Sequence, residues 1–126
     1  MKVYIDVSGS QPAYRGNQKG TELLKFLSIY AEGNYILFDH GVVKRRPFGP
    51  AMGPIEVKSR GGGTNLDCLG DELSHGTCLK LLLTDGMHPP FNKPTRNVIT
   101  VDPCVGGFDP KALALHLSML DDILQQ

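Results

Sequence analysis

The chain has 126 residues, 40% of them hydrophobic, which is enough to bury a core in one domain over residues 1–126 without disulfides or metals as staples. Thirteen Lys plus Arg balance 13 Asp plus Glu, so net charge argues against a general nucleic-acid or membrane-surface binder. No apolar run is long enough to span a bilayer, a carboxylate interrupts the N-terminal apolar run at Asp6, and Cys68, Cys78 and Cys104 lack CxxC spacing. The expectation is a soluble, cytoplasmic protein with free, mostly buried thiols.

Lys2 to Val7 reads as the first strand and runs into Asp6-Val7-Ser8-Gly9-Ser10. Alternate residues of an extended segment face the same way, so Asp6, Ser8 and Ser10 bring one carboxylate and two hydroxyls into one loop. The loop continues to Asn17 through Pro12 and Gly16. From Gln18 to Glu32 the period becomes helical, with Leu23, Leu24, Leu27, Tyr30 and Ala31 on one stripe and Gly33 stopping the helix as a C′ residue. Asn34 to Asp39 is a second strand, and His40-Gly41 turns it into an antiparallel partner, Val42 to Arg46. Asp39 reads as the cap of that hairpin, and Lys44-Arg45-Arg46 as a solvated edge.

Pro47 to Pro54 is a loop, and Ile55 to Lys58 has the alternation of a short edge strand. Gly61-Gly62-Gly63-Thr64-Asn65 then precedes a helix striped by Leu66, Leu69 and Leu73, capped by Thr64 or Asn65, with Asp67 as a first-turn acid. Cys78 to Thr84 is the most apolar strand, hence central, and ends on Asp85-Gly86. Asn97 to Val101 is another strand. Asp109 caps the last helix, with Pro110 at its first position and a stripe of Leu113, Leu117, Leu120 and Leu124. This alternation predicts an α/β fold: a three-layer, Rossmann-like, mostly parallel sheet with one antiparallel edge strand and helices on both faces.

In such sheets ligands bind at the carboxyl ends of the strands, and Asp6/Ser8/Ser10, Thr64 and Asp85 all fall at strand ends or in the loop before a helix. Taken alone, each has a plainer account. Asp-x-Ser-x-Ser is also an ordinary turn sequence, and the glycine run lacks the Gly-Lys-Ser/Thr of a nucleotide loop. His75, Cys68 and Cys78 show no paired zinc-ligand motif, and His88 reads as a surface histidine at the rim of the site. Together, the oxygen donors suit a small divalent cation, since magnesium takes six oxygens at ~2.0–2.1 Å and keeps several waters.

In order and strand-end context, Asp6-x-Ser8-x-Ser10, Thr64 in its glycine-rich loop and Asp85 in Thr84-Asp85-Gly86 resemble the metal-ion-dependent adhesion site (MIDAS) of von Willebrand factor A (vWA) domains. The likeness covers nearly the whole chain. It is closer still to bacterial vWA-like domains found at the C-terminal end of metallopeptidase-like proteins, through Phe38-Asp39, Gly61-Gly62-Gly63-Thr64 and Leu83-Thr84-Asp85-Gly86. Gln11 stands where that family often has methionine, and Asn65 where an aspartate is common; neither change removes a metal-binding oxygen.

The resemblance implies a vWA fold whose metal residues are Asp6, Ser8, Ser10, Thr64 and Asp85, with magnesium, or manganese or calcium, as the ion. It implies hydroxyls bound directly, carboxylates largely through water, and an open position filled by an Asp or Glu of a protein partner. That partner would be an AAA-type ATPase or a neighbouring subunit. The alternative is a metal-dependent hydrolase of phosphate esters or another small substrate, with Asp6 as nucleophile or ligand. Against it, a haloacid-dehalogenase-type phosphatase needs a carboxylate where Ser8 stands, and no HExxH is present to carry peptidase chemistry. The expectation is therefore a binding module with no catalytic residues.

Overall fold

The computed structural model describes residues 1–7, 13–52, 55, 63–84, 91–102 and 109–125, with side chains in the first helix from residue 20 onward. Its elements are β1 (Lys2–Asp6), α1 (Ala13–Tyr30), β2 (Asn34–Phe38), β3 (Val42–Pro47), a 3-10 helix (Leu66–Leu69), β4 (Lys80–Leu83), β5 (Val98–Val101) and α2 (Pro110–Leu124). The five strands form one sheet in the order β3-β2-β1-β4-β5, parallel except for the β2/β3 hairpin.

Side chains alternate across this sheet as a period of two requires. Val3, Ile5, Leu37, Leu81 and Leu83 bury one face under Leu23, Leu24 and Leu27 of α1 and Ala114 and Leu117 of α2. Tyr4, Ile36, Phe38 and Leu82 bury the other under Leu66, Leu69 and Leu73. The leucine stripes of both expected helices thus face the sheet. The expected α-helix after Thr64, however, is a single 3-10 turn, so both described α-helices lie on the same face. Gly70, at φ 62° and ψ −129°, takes a positive-φ conformation that favours glycine and ends the turn after Leu69.

Two other expectations change. Helix α1 begins at Ala13, so residues 13–17 are helical rather than loop; the Leu23/Leu24/Leu27 face outweighs the ~1 kcal/mol that a glycine such as Gly16 costs inside a helix. Gly33 is not a left-handed cap. It is needed for close approach, because a Cβ there would meet the Met1 carbonyl oxygen and the Phe48 ring. The Ile55 to Lys58 strand lies outside the described residues apart from Ile55, which is not in a strand.

The hairpin register slips between Leu37 and Phe38, so that Leu37 faces Lys44 and Phe38 faces Val42, leaving Val43 as the extra residue of a bulge. Strand β3 is the exposed edge expected from its cations, with one qualification. Arg45 is held by Glu72 in a two-pronged pair, Nη1 to Oε1 at 2.7 Å and Nη2 to Oε2 at 2.5 Å. At the other end of the sheet Lys80 is buried, its ammonium donating to the carbonyls of Arg96 (2.9 Å), Gly76 (3.2 Å) and Cys78 (3.4 Å). Asp109 caps α2 by accepting from the Lys111 amide at 3.0 Å, as its sequence predicts. Cys68 and Cys78 are free and half-buried, and Cys104 lies outside the described residues. No described helix is long and apolar enough to cross a membrane.

Candidate metal centre

Strand order fixes where the site falls. From β1 the chain crosses to β2 on one side, and from β4 it crosses to β5 on the other, so the carboxyl ends of β1 and β4 flank the point where the winding reverses. Ile5 pairs with Leu83 in the parallel register, and the next step sets Asp6 beside Thr84. Both follow the parity of Tyr4 and Leu82, so their side chains belong to the face covered by the 3-10 helix. Thr64 arrives on that same face because Leu66 and Leu69, two and five residues later, are buried against it.

These three residues converge on one oxygen. Thr64 Oγ1 donates to Asp6 Oδ2 at 2.9 Å, and Thr84 Oγ1 donates to the same atom at 2.8 Å. All three are buried, Asp6 at 3% exposure, Thr64 at 5% and Thr84 at 1%. An ionised carboxylate only accepts, so the hydroxyl protons are committed to Asp6 and the lone pairs of both threonine oxygens are directed elsewhere. Charge-assisted bonds of this kind are what allow a carboxylate to remain in a buried position.

The framework around them is tied by backbone bonds. Val7 donates to the Phe38 carbonyl at 2.8 Å, Asn65 to the Asp39 carbonyl at 2.8 Å, and Thr84 to the Val101 carbonyl at 3.1 Å. Asn65, rather than Thr64, is the cap of the 3-10 helix, accepting from the Asp67 amide at 2.9 Å, which leaves the Thr64 hydroxyl for Asp6. Asp39 does cap its hairpin, with Oδ1 accepting from the Gly41 amide at 3.1 Å and His40 Nδ1 3.5 Å away. It is nevertheless 1% exposed, more buried than a turn cap requires.

Of the five expected metal residues, Asp6 and Thr64 are brought into contact, while Ser8, Ser10 and Asp85 lie outside the described residues. Gly61 and Gly62 of the glycine run and His88 do so as well. Thr84, which the five-residue motif does not include, joins Asp6 as well. Its signal was the parity of the strand, which places residue 84 on the face of residue 82. Among the described residues no three His, Cys, Asp or Glu side chains gather closely enough to hold a metal ion by themselves. The described donor set is instead hydroxyl-rich, two threonines around one carboxylate, and neutral oxygens of this kind fit a hard cation such as magnesium. The chain finds no match among family models, curated proteins or solved structures.

Proposed function

We propose that the chain is a divalent-metal-dependent protein-binding module of vWA type, in which Asp6, Ser8, Ser10, Thr64 and Asp85 hold magnesium and an Asp or Glu of a partner completes the coordination. The observation that carries this reading is the convergence of Thr64 on Asp6 Oδ2 from 58 residues away, at the switch point of a mostly parallel sheet. Turn chemistry alone would account for the first loop and would not require a threonine from a distant loop to meet its carboxylate. The three-layer vWA arrangement is part of the same proposal, with the Leu66 to Leu73 segment serving as the cover of the second face.

Bound there, the ion would supply an electrophilic centre for an incoming carboxylate. The chain's own residues define how strongly it acts. Asp6 holds the protons of Thr64 and Thr84, orienting their oxygen lone pairs, and neutral oxygens quench less of a cation's charge than carboxylates would. The hydrolase reading is less well supported, because an Asp6 oxygen that accepts two hydroxyl bonds is a poor nucleophile.

Thermal unfolding with and without magnesium tests the metal, since an ion that binds only the folded state at 100 times its Kd adds ~2.7 kcal/mol of stability. Capture of a partner from the source cell, lost in EDTA and in Thr64→Ala, tests its use. Equal capture in EDTA would overturn the proposal.

A further inference from the structure

Phe38, the last residue of β2, and Asp39, which follows it, offer consecutive carbonyls to the site. Phe38 O accepts from Val7, next to Asp6, and Asp39 O accepts from Asn65, next to Thr64. One strand end therefore grips both segments whose side chains meet at Asp6 Oδ2. The direction of the Asp39 carbonyl is set by its ψ angle, and that angle lies within the ring closed when Asp39 Oδ1 accepts from the Gly41 amide at 3.1 Å. The Asp39 amide donates to the Gly41 carbonyl at 3.0 Å, closing the turn a second time. The bulge, with Val43 as the extra residue of β3, lies directly beside this turn.

Resting on the metal reading above, we propose that Asp39 is a positioning residue of the metal centre: its side chain fixes the turn at Gly41, its carbonyl then holds Asn65, and this bond sets the Thr64 hydroxyl on Asp6. The carboxylate acts through its geometry, as the acceptor for Gly41, and is not itself a ligand.

Three variants separate geometry from charge. Asp39→Asn keeps an acceptor oxygen at the same place without the charge, Asp39→Ala removes it, and Asp39→Glu keeps the charge but moves the oxygen by one methylene. Two readouts are needed: amide hydrogen exchange at Asn65 in metal-free protein, and magnesium affinity by calorimetry. The expected result is that Asp39→Ala speeds Asn65 exchange about tenfold or more and weakens magnesium at least about tenfold. Asp39→Asn should stay within about threefold of wild type in both, because a neutral acceptor retains the Gly41 bond. Should Asp39→Ala fail to fold, Asp39→Glu carries the test, with losses expected to match those of the alanine variant.

Unchanged Asn65 exchange and magnesium affinity in Asp39→Ala, or in Asp39→Glu where that carries the test, would overturn the positioning role while leaving the metal centre standing. A loss of affinity in Asp39→Asn as large as in Asp39→Ala would also overturn it, since charge would then be the operative property. Wild-type protein that takes no magnesium would overturn the metal centre and the positioning role together, with Asn65 exchange still reporting whether the bond is held.

Discussion

Thr64 reaches Asp6 Oδ2 at 2.9 Å, and it shares that atom with Thr84, whose hydroxyl lies at 2.8 Å. Two donors on one buried acceptor cannot be energetically independent. A hydrogen bond to a charged group contributes ~1.5–3 kcal/mol, so Thr64→Ala and Thr84→Val should each destabilise the metal-free protein by about that amount. Losing the second donor should cost more than losing the first, because the buried carboxylate then retains neither threonine. A double-mutant cycle by urea unfolding is expected to give a coupling of ~0.5–3 kcal/mol. Strictly additive costs would show that the threonines do not act on a shared charge. Thr64→Ser, which keeps the hydroxyl, should recover most of the loss.

The strand ends of the site were legible in the sequence because they depend on local patterns. Asp6 follows an apolar run, and the last helix is announced by Asp109-Pro110 and its leucines. What was not legible depends on contacts between distant segments. Thr84 looked like a strand residue next to a more conspicuous aspartate, and only the β1/β4 register puts it beside Asp6. The Leu66/Leu69/Leu73 spacing fits a helix, yet Gly70 at a positive φ ends it after one turn, a choice that spacing does not encode. Arg45 looked solvated because its partner, Glu72, is 27 residues away.

That Arg45–Glu72 pair makes a pH-dependent contribution whose sign is fixed. The hydrogen bonds from Arg45 hold the Glu72 carboxyl below its ordinary range, against the opposing effect of partial burial, while burial pushes the Tyr4 hydroxyl up. A carboxylate depressed in the folded state binds fewer protons there than in the unfolded chain, where it titrates near ~4.3. Its stabilisation is therefore fully present above that value and is lost as pH falls through the folded value. Arg45 is 49% exposed, so the amount is small, ~0.2–1 kcal/mol. Glu72→Gln should be less stable than wild type at pH 7, and the gap should close on acidification. Urea is the appropriate denaturant, because guanidinium would screen the pair.

Lys80 gives a slope of the same sign at high pH. Burial lowers its pKa, so over the range between its folded value and the unfolded value near ~10.4 the unfolded chain binds the extra proton. Stability attributable to this side chain should rise with pH through that window. The difference in unfolding free energy between wild type and Lys80→Met, measured from pH 8 upward, isolates the effect. It is expected to move in favour of wild type as pH increases, and a flat difference would show that the three carbonyls around the ammonium compensate for its burial.

Gly33 and Gly20 test how close approach, rather than backbone freedom, determines where glycine is needed. At Gly33 an added Cβ would press on the Met1 carbonyl oxygen and come 2.8 Å from two ring carbons of Phe48. The Met1 carbonyl accepts from Asn34, so that oxygen cannot retreat without breaking a backbone bond, whereas the Phe48 contact is with the ring of a side chain. Gly33→Ala should cost ~1–3 kcal/mol, the usual range for overpacking. At Gly20 the nearest atom is the terminal methyl of Ile5 at 3.1 Å, with Ile55 and Leu83 methyls at 3.8 and 3.9 Å. A methyl at the end of a side chain can yield by a few tenths of an ångström, and alanine gains ~0.8–1.0 kcal/mol over glycine inside a helix. Crowding and helix propensity should then nearly cancel in Gly20→Ala, with a net change within ~1 kcal/mol of zero. Urea midpoints of the two variants decide the matter: a Gly20→Ala loss as large as that of Gly33→Ala would mean that the α1/β1 contact is as rigid as the backbone contact at Met1.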